Sequence, residues 1–362
     1  MTKLLTSTAL TALALTVSAA GAQTVNVFNW SDYIAEDTLA NFTAATGIAV
    51  NYDVYDSNDT LEARMLAGSS GFDVVVPTGN YLQRQIAAGV YQPLNRDLLP
   101  NLVNMDPALM ELAAAFDPGN EHGVVYLWGT TGIGYNVEAV AERMGADYVV
   151  NSWELLFNPE YAARFADCGI AVLDDHTEII PPMLRYLGRP PVTTDEADFE
   201  AAVVALEAIR PHIRYFHSSQ YISDLANGEI CLAIGWSGDV LQAASRAEEA
   251  GNGVQVAYAI PSEGVNMWFD MLAIPADAPN PEAAHAFINY MMDPQVAANN
   301  TNYVAYPNGN AASSPMVDPA VLNDPTIYPS DETKASSWTL RPYDSRTDRI
   351  VTRLWTRLRT GQ

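Results

Sequence analysis

The sequence predicts an α/β fold in two lobes, and three observations carry that expectation. From Val25 onward, apolar residues alternate between the spacing of a strand and the spacing of a helix. A second series of the same kind, with different residues, begins near Ile170. The chain has 362 residues and is 49% hydrophobic, which suits about two domains of roughly 150 residues, each with its own core.

In the first series Val25 to Trp30 reads as a strand, Ile34 to Ala45 as a helix ended by Gly47, and Ile48 to Val54 as a strand with every second residue apolar. A helix from about Asp59 to Ala67, capped by Asn58, leads to a buried-type strand from Asp73 to Val76 and a helix from Tyr81 to Ala88. Repeated βα units imply a parallel sheet covered on both faces. In the second series Ile170 to Leu173 and Ile230 to Trp236 read as strands, with helices near Glu196 to Ile209, Ser219 to Ala226 and Asp239 to Ala250. Val254 to Ile260 is strand-like, and Asn280-Pro281 opens a helix whose apolar face holds Ala283, Ala284, Phe287, Ile288, Met291 and Met292. Arg346, Arg349, Arg353 and Arg357 recur at helical spacing around Ile350, Leu354 and Leu358, the pattern of a solvated helix face.

Met1 to Ala22 has the layout of a secretory signal peptide: Lys3, a short apolar run from Leu4 to Ala20, and the small-x-small site Ala20-Gly21-Ala22. No later segment has the ~18 unbroken apolar residues of a membrane span, so a soluble exported protein is expected. With 18 basic and 43 acidic residues the formal charge is −25. Such a chain repels nucleic-acid phosphates and anionic lipid and attracts cations, although acidity also serves solubility alone. Cys168 and Cys231 are the only cysteines. In an exported chain they are expected to pair, the alternative being two buried thiols, and their spacing argues against zinc or redox work.

Enzyme motifs are weak. Gly68-Ser69-Ser70-Gly71 is one residue short of a nucleophile elbow, Gly132-Ile133-Gly134 lacks the third glycine of a dinucleotide fingerprint, and the five histidines show no metal-binding spacing. No cofactor and no metal is expected. More informative are three places where an aromatic residue sits beside a carboxylate, each expected where a strand gives way to a helix: Trp30-Ser31-Asp32-Tyr33, Trp236-Ser237-Gly238-Asp239 and Trp268-Phe269-Asp270. Open α/β sheets bind ligands beyond their strand ends. Each cluster alone also reads as a core tryptophan beside a helix-capping aspartate. Together, in an acidic exported chain, they suit an alkyl ammonium, because aromatic faces cover methylenes and carboxylates hold the charge.

The stretches Phe28 to Ile34, Gly71 to Pro77, Thr130 to Asn136, Arg214 to Tyr221 and Ile234-Gly235-Trp236 resemble the periplasmic polyamine-binding proteins of ABC importers, most of all their putrescine-binding branch, and the likeness runs over essentially the whole mature chain. The resemblance implies a two-lobed, type II periplasmic binding protein, each lobe a mixed sheet flanked by helices, with the ligand cleft between lobes. It implies one lobe from residues 23–128 plus about 260–300, and the other from 129–259 plus about 301–362. Carried over residue by residue, Trp30, Tyr33, Trp236, Trp268 and Tyr306 would surround the methylene chain. Ser31, Asp32, Glu178, Asp239 and Asp270 would take the ammonium ends, with Asn80 and Ser218 at the margin. Trp268 stands where the family pattern has phenylalanine, and the neighbours of Asn80 and Tyr306 depart from that pattern. The resemblance further implies a Cys168–Cys231 bridge, a monomer, a periplasmic location, no catalysis and delivery of the ligand to a membrane permease. Spermidine, cadaverine or agmatine stand as alternatives to putrescine, presentation to a sensor as an alternative to transport. A more remote rival is an exported enzyme using a pair among Asp32, Glu178, Asp239 and Asp270 as acid and base.

Overall fold

The computed structural model describes residues 23–361, so the expected signal peptide lies outside the described residues. Among the described residues nine strands follow in chain order: β1 (Thr24–Trp30), β2 (Ala49–Tyr55), β3 (Val74–Val75), β4 (Gly123–Asn136), β5 (Ile170–Val172), β6 (Ile213–Phe216), β7 (Leu232–Trp236), β8 (Val256–Ala259) and β9 (Asn266–Ala273). They form one sheet in the order β2-β1-β3-β9-β4-β7-β5-β6, with β8 added on β4. The βα units behave as expected locally, since β1 is parallel to β2 and β3, and β5 is parallel to β6 and β7. The sheet as a whole is mixed, as the resemblance implied, whereas the βα units read alone suggested a parallel one. β9 runs antiparallel to β3 and β4, and β4 antiparallel to β7 and β8, because β4 and β9 carry the chain between lobes and meet the local units head to tail.

Two hydrophobic cores make the two lobes. The first collects β1 to β3, β4 up to Trp128, β9 from Met267 and the helix Pro281–Met291. The second collects Ile133, β5, β7 and the helices His176–Tyr186 and Glu196–Ile209, closed by Val351, Leu354, Trp355 and Leu358 of the C-terminal helix Ser345–Thr360. Thr131 marks the join, paired with Asn266 of β9 on one side and Trp236 of β7 on the other. Val304 and Tyr306 pack in the first core, short of the expected return to the second lobe near residue 301. The helix Pro294–Val304 that leads to them follows Pro281–Met291 after a two-residue turn, which holds it against the same core.

Local differences have simple causes. The first helix begins at Thr38, not Ile34, because residues 31–37 form turns that lead the chain off the end of β1. Ser57, not Asn58, caps the next helix by accepting from the Thr60 amide at 3.2 Å, while the Asn58 amide donates to Thr78 Oγ1 at 2.9 Å. The arginine face of the last helix is not merely solvated: Arg353 pairs with Glu196 at 3.3 Å and Arg357 with Glu207 at 2.8 Å across the helix Glu196–Ile209. Cys168 and Cys231 form a disulfide across a separation of 63 residues, a closure worth about 4 kcal/mol by chain entropy. Among the described residues no helix is long and apolar enough to cross a membrane.

Candidate ligand-binding site

The two lobes meet over a slot of about 420 Å³, lined by residues from β1, β7, β9 and the segments that follow them. Trp30 ends β1 and Trp236 ends β7, and their rings meet edge to face with centroids 5.5 Å apart. The Trp30 indole N–H donates to the Val76 carbonyl at 2.9 Å, which fixes its plane. On the other side Tyr306 packs against Tyr33 at 5.1 Å and Trp268 at 5.4 Å between ring centroids. Two glycines allow this closeness. A Cβ on Gly129 would sit 2.7 Å from the Trp268 ring, and one on Gly238 would overlap the Tyr306 ring. In β9 side chains alternate between faces, so Asn266, Trp268 and Asp270 share one. The third aromatic-carboxylate cluster thus lies inside a strand, not at the strand-to-helix junction expected from the sequence.

Three carboxyl groups stand in the slot, each at most 6% exposed. Asp239, in the first turn of the helix Ser237–Ala250, accepts from Tyr306 Oη at 2.7 Å and Tyr221 Oη at 2.8 Å. Asp270 accepts from Thr78 Oγ1 at 2.6 Å and Tyr33 Oη at 2.8 Å. Glu178, in the first turn of the helix His176–Tyr186, accepts from Thr131 Oγ1 at 2.6 Å and Asn266 Nδ2 at 3.1 Å. Every donor is neutral, and among the described residues none of the three forms a salt bridge. Burial therefore wins over hydrogen bonding and pushes Asp239, Asp270 and Glu178 each up to about 7. The charge of Asp239 adds to the rise at Asp270, whereas Asp175 adds to the rise at Glu178. Negative potential between aromatic walls is the chemistry of an organic cation site.

The model of the family described as bacterial extracellular solute-binding protein matches residues 37–329. The putrescine-binding periplasmic protein SpuD of Pseudomonas aeruginosa is 52% identical, covering 95% of this chain and 94% of its own. The putrescine-binding periplasmic protein PotF of Escherichia coli is 48% identical over 98% of this chain and 96% of its own. Among solved structures, the spermidine/putrescine ABC transporter substrate-binding protein PotD from Streptococcus pneumoniae superposes with a TM-score of 0.76 at 27% identity, over 93% of this chain and 99% of that one. The chain belongs to the bacterial extracellular solute-binding proteins.

Within this solute-binding fold the slot brings together Trp30, Ser31, Tyr33, Glu178, Trp236, Asp239, Trp268, Asp270 and Tyr306. Three expected residues lie elsewhere. Asp32 turns to the rim and pairs with Arg246 at 2.5 Å. Asn80 lines a side cavity of about 290 Å³ that shares Glu178 and Trp268 with the slot. Ser218 lines a wider outer cleft and accepts from the Asp174 amide at 3.2 Å.

Sequence reasoning missed Asp56, Asn58 and Thr78 on the wall, and Tyr221, Thr131 and Asn266 behind the carboxyl groups. Signals existed for two of them. Thr78 follows the strand run ending at Val76, and Asn266 stands two positions before Trp268.

Proposed function

We propose that the mature chain is a periplasmic receptor that captures a polyamine, putrescine first, and delivers it to the membrane permease of an ABC importer. One observation carries this reading: aromatic walls enclose three buried carboxyl groups whose hydrogen-bond donors, among the described residues, are all neutral. Asp239 and Asp270 are held by Tyr306, Tyr221, Tyr33 and Thr78, whereas Glu178 is held by Thr131 and Asn266, and these separate sets of partners support two charge positions, one for each ammonium of a diamine. A diamine of the wrong length leaves one charge without a partner. The names of SpuD and PotF, both putrescine-binding, support the ligand, and their periplasmic description supports the compartment.

In this reading lobe 1 comprises residues 23–128 with about 260–300, and lobe 2 the remainder. The first core argues for moving Val304 and Tyr306 into lobe 1. Trp30, Tyr33, Trp236, Trp268 and Tyr306 cover the methylenes, and Asp239, Asp270 and Glu178 take the ammonium ends, with Ser31 beside them. Asp32, Asn80 and Ser218 act from the rim. Ligand binding favours the closed arrangement, because only there do both lobes touch the cation. The function is capture without turnover, in keeping with relatives that are solute-binding proteins.

Isothermal titration of mature protein, refolded free of carried-over ligand, tests this. Tight one-to-one binding of putrescine with weaker spermidine binding is expected. The reverse order would reassign the ligand within the class, and silence from both in folded protein would overturn the reading.

A further inference from the structure

Resting on the diamine reading above, we infer that Asn266 is a specificity-determining residue that accepts a hydrogen bond directly from the second ammonium of the ligand, beside Glu178. The side chain of Asn266 is 2% exposed and reaches the same carboxyl group as Thr131. Both donors land on Glu178 Oε2, and neither of these bonds uses Oε1.

The amide of Asn266 is oriented by this contact. Its nitrogen must face Glu178, because the reversed amide would set a carbonyl against a carboxylate. The carbonyl Oδ1 then points away from Glu178, is buried, and has no hydrogen-bond partner among the described residues. Buried acceptors are nearly always satisfied, and the exceptions sit at functional sites. Asn266 and Glu178 both line the side cavity of about 290 Å³ that adjoins the slot. Strand β9 places Asn266 on the same face as Trp268 and Asp270, so one strand supplies an acceptor for each end of a diamine and the aromatic ring between them. An ammonium with three N–H donors can reach Glu178 and Asn266 Oδ1 together, while a neutral or methyl-ended chain leaves both acceptors unpaired.

The test is a double-mutant cycle on the full mature chain, read by titration with putrescine and with n-butylamine, which has the same chain length and lacks the second ammonium. Asn266→Ala should weaken putrescine at least tenfold and change n-butylamine less than twofold. In a Glu178→Gln background, Asn266→Ala should still weaken putrescine about fivefold. No further loss in that background would show that Asn266 acts only by holding Glu178, and equal losses for both amines would show a general structural role; either overturns the inference. Should Asn266→Ala lower the melting temperature below the assay range, Asn266→Ser carries the same comparison. Wild-type protein that binds neither putrescine nor any other polyamine would overturn the receptor reading itself, an outcome distinct from these.

Discussion

Asp239 is held by two tyrosine hydroxyls and, among the described residues, by no salt bridge, which makes it the most informative single residue in the slot. Asp239→Asn keeps the shape and removes the charge, so the fold should survive and diamine affinity fall at least tenfold, about 1.4 kcal/mol, by titration. Protonation should do the same reversibly. Asp239, Asp270 and Glu178 titrate near 7, and only their ionised forms hold an ammonium, so affinity should fall as pH drops from 8 to 5.5, while the diamine itself stays charged. The ligand-free fold should show the opposite sign. Between about pH 4 and 7 the native state keeps protons that the unfolded chain has released, so stability contributed by these groups falls as pH rises through that window. Melting scans with and without putrescine at pH 5.5 and 8 check both, the ligand-induced shift being larger at pH 8. The two aspartates were legible because each stands beside a tryptophan. Tyr221 was not, since a neutral hydroxyl in a helix carries no charge signature until the fold sets it against a carboxyl group, and Thr78 was signalled only by its place after the strand run ending at Val76.

At the scale of elements, the slot depends on close approach of backbone to ring. Gly238 is the second residue of its helix, directly under Tyr306, and Gly129 lies on β4 under Trp268. Gly238→Ala should push Tyr306 out of place, break its bond to Asp239 and weaken diamine binding more than tenfold, with the displaced ring visible in a crystal structure of the variant. The βα units of both lobes could be read from apolar periodicity, and the helix Glu196–Ile209 coincides with its expectation. The mixed character of the sheet could not. Strand direction in β4 and β9 is fixed by long-range pairing between lobes, and no local pattern encodes it. The same limit misplaced the Trp268 cluster: Trp268 and Asp270 read as a strand end, whereas alternation along β9 aims them, with Asn266, at one side.

For the whole molecule, a net charge of −25 and a cleft lined by carboxyl groups draw cations toward the slot and disfavour polyanionic partners. The Asp32–Arg246 pair ties the turn after β1 to the helix Ser237–Ala250, so it spans the mouth between lobes. Its side chains are 37% and 40% exposed, which limits its worth to about 1 kcal/mol or less. Arg246→Ala should speed putrescine release by no more than about fivefold in stopped-flow measurements, with little change in melting temperature. Asp32 thereby sits at the mouth, paired with Arg246, a placement invisible in the motif Trp30-Ser31-Asp32-Tyr33, where it reads like its neighbours. The most direct test of the central claim is a crystal structure of the mature protein with putrescine. One ammonium should lie about 3 Å from Asp239 or Asp270, the other the same distance from Glu178, with the methylenes between Trp30, Trp236 and Trp268. Putrescine seated in the outer cleft, or in the slot without contact to these carboxyl groups, would contradict it.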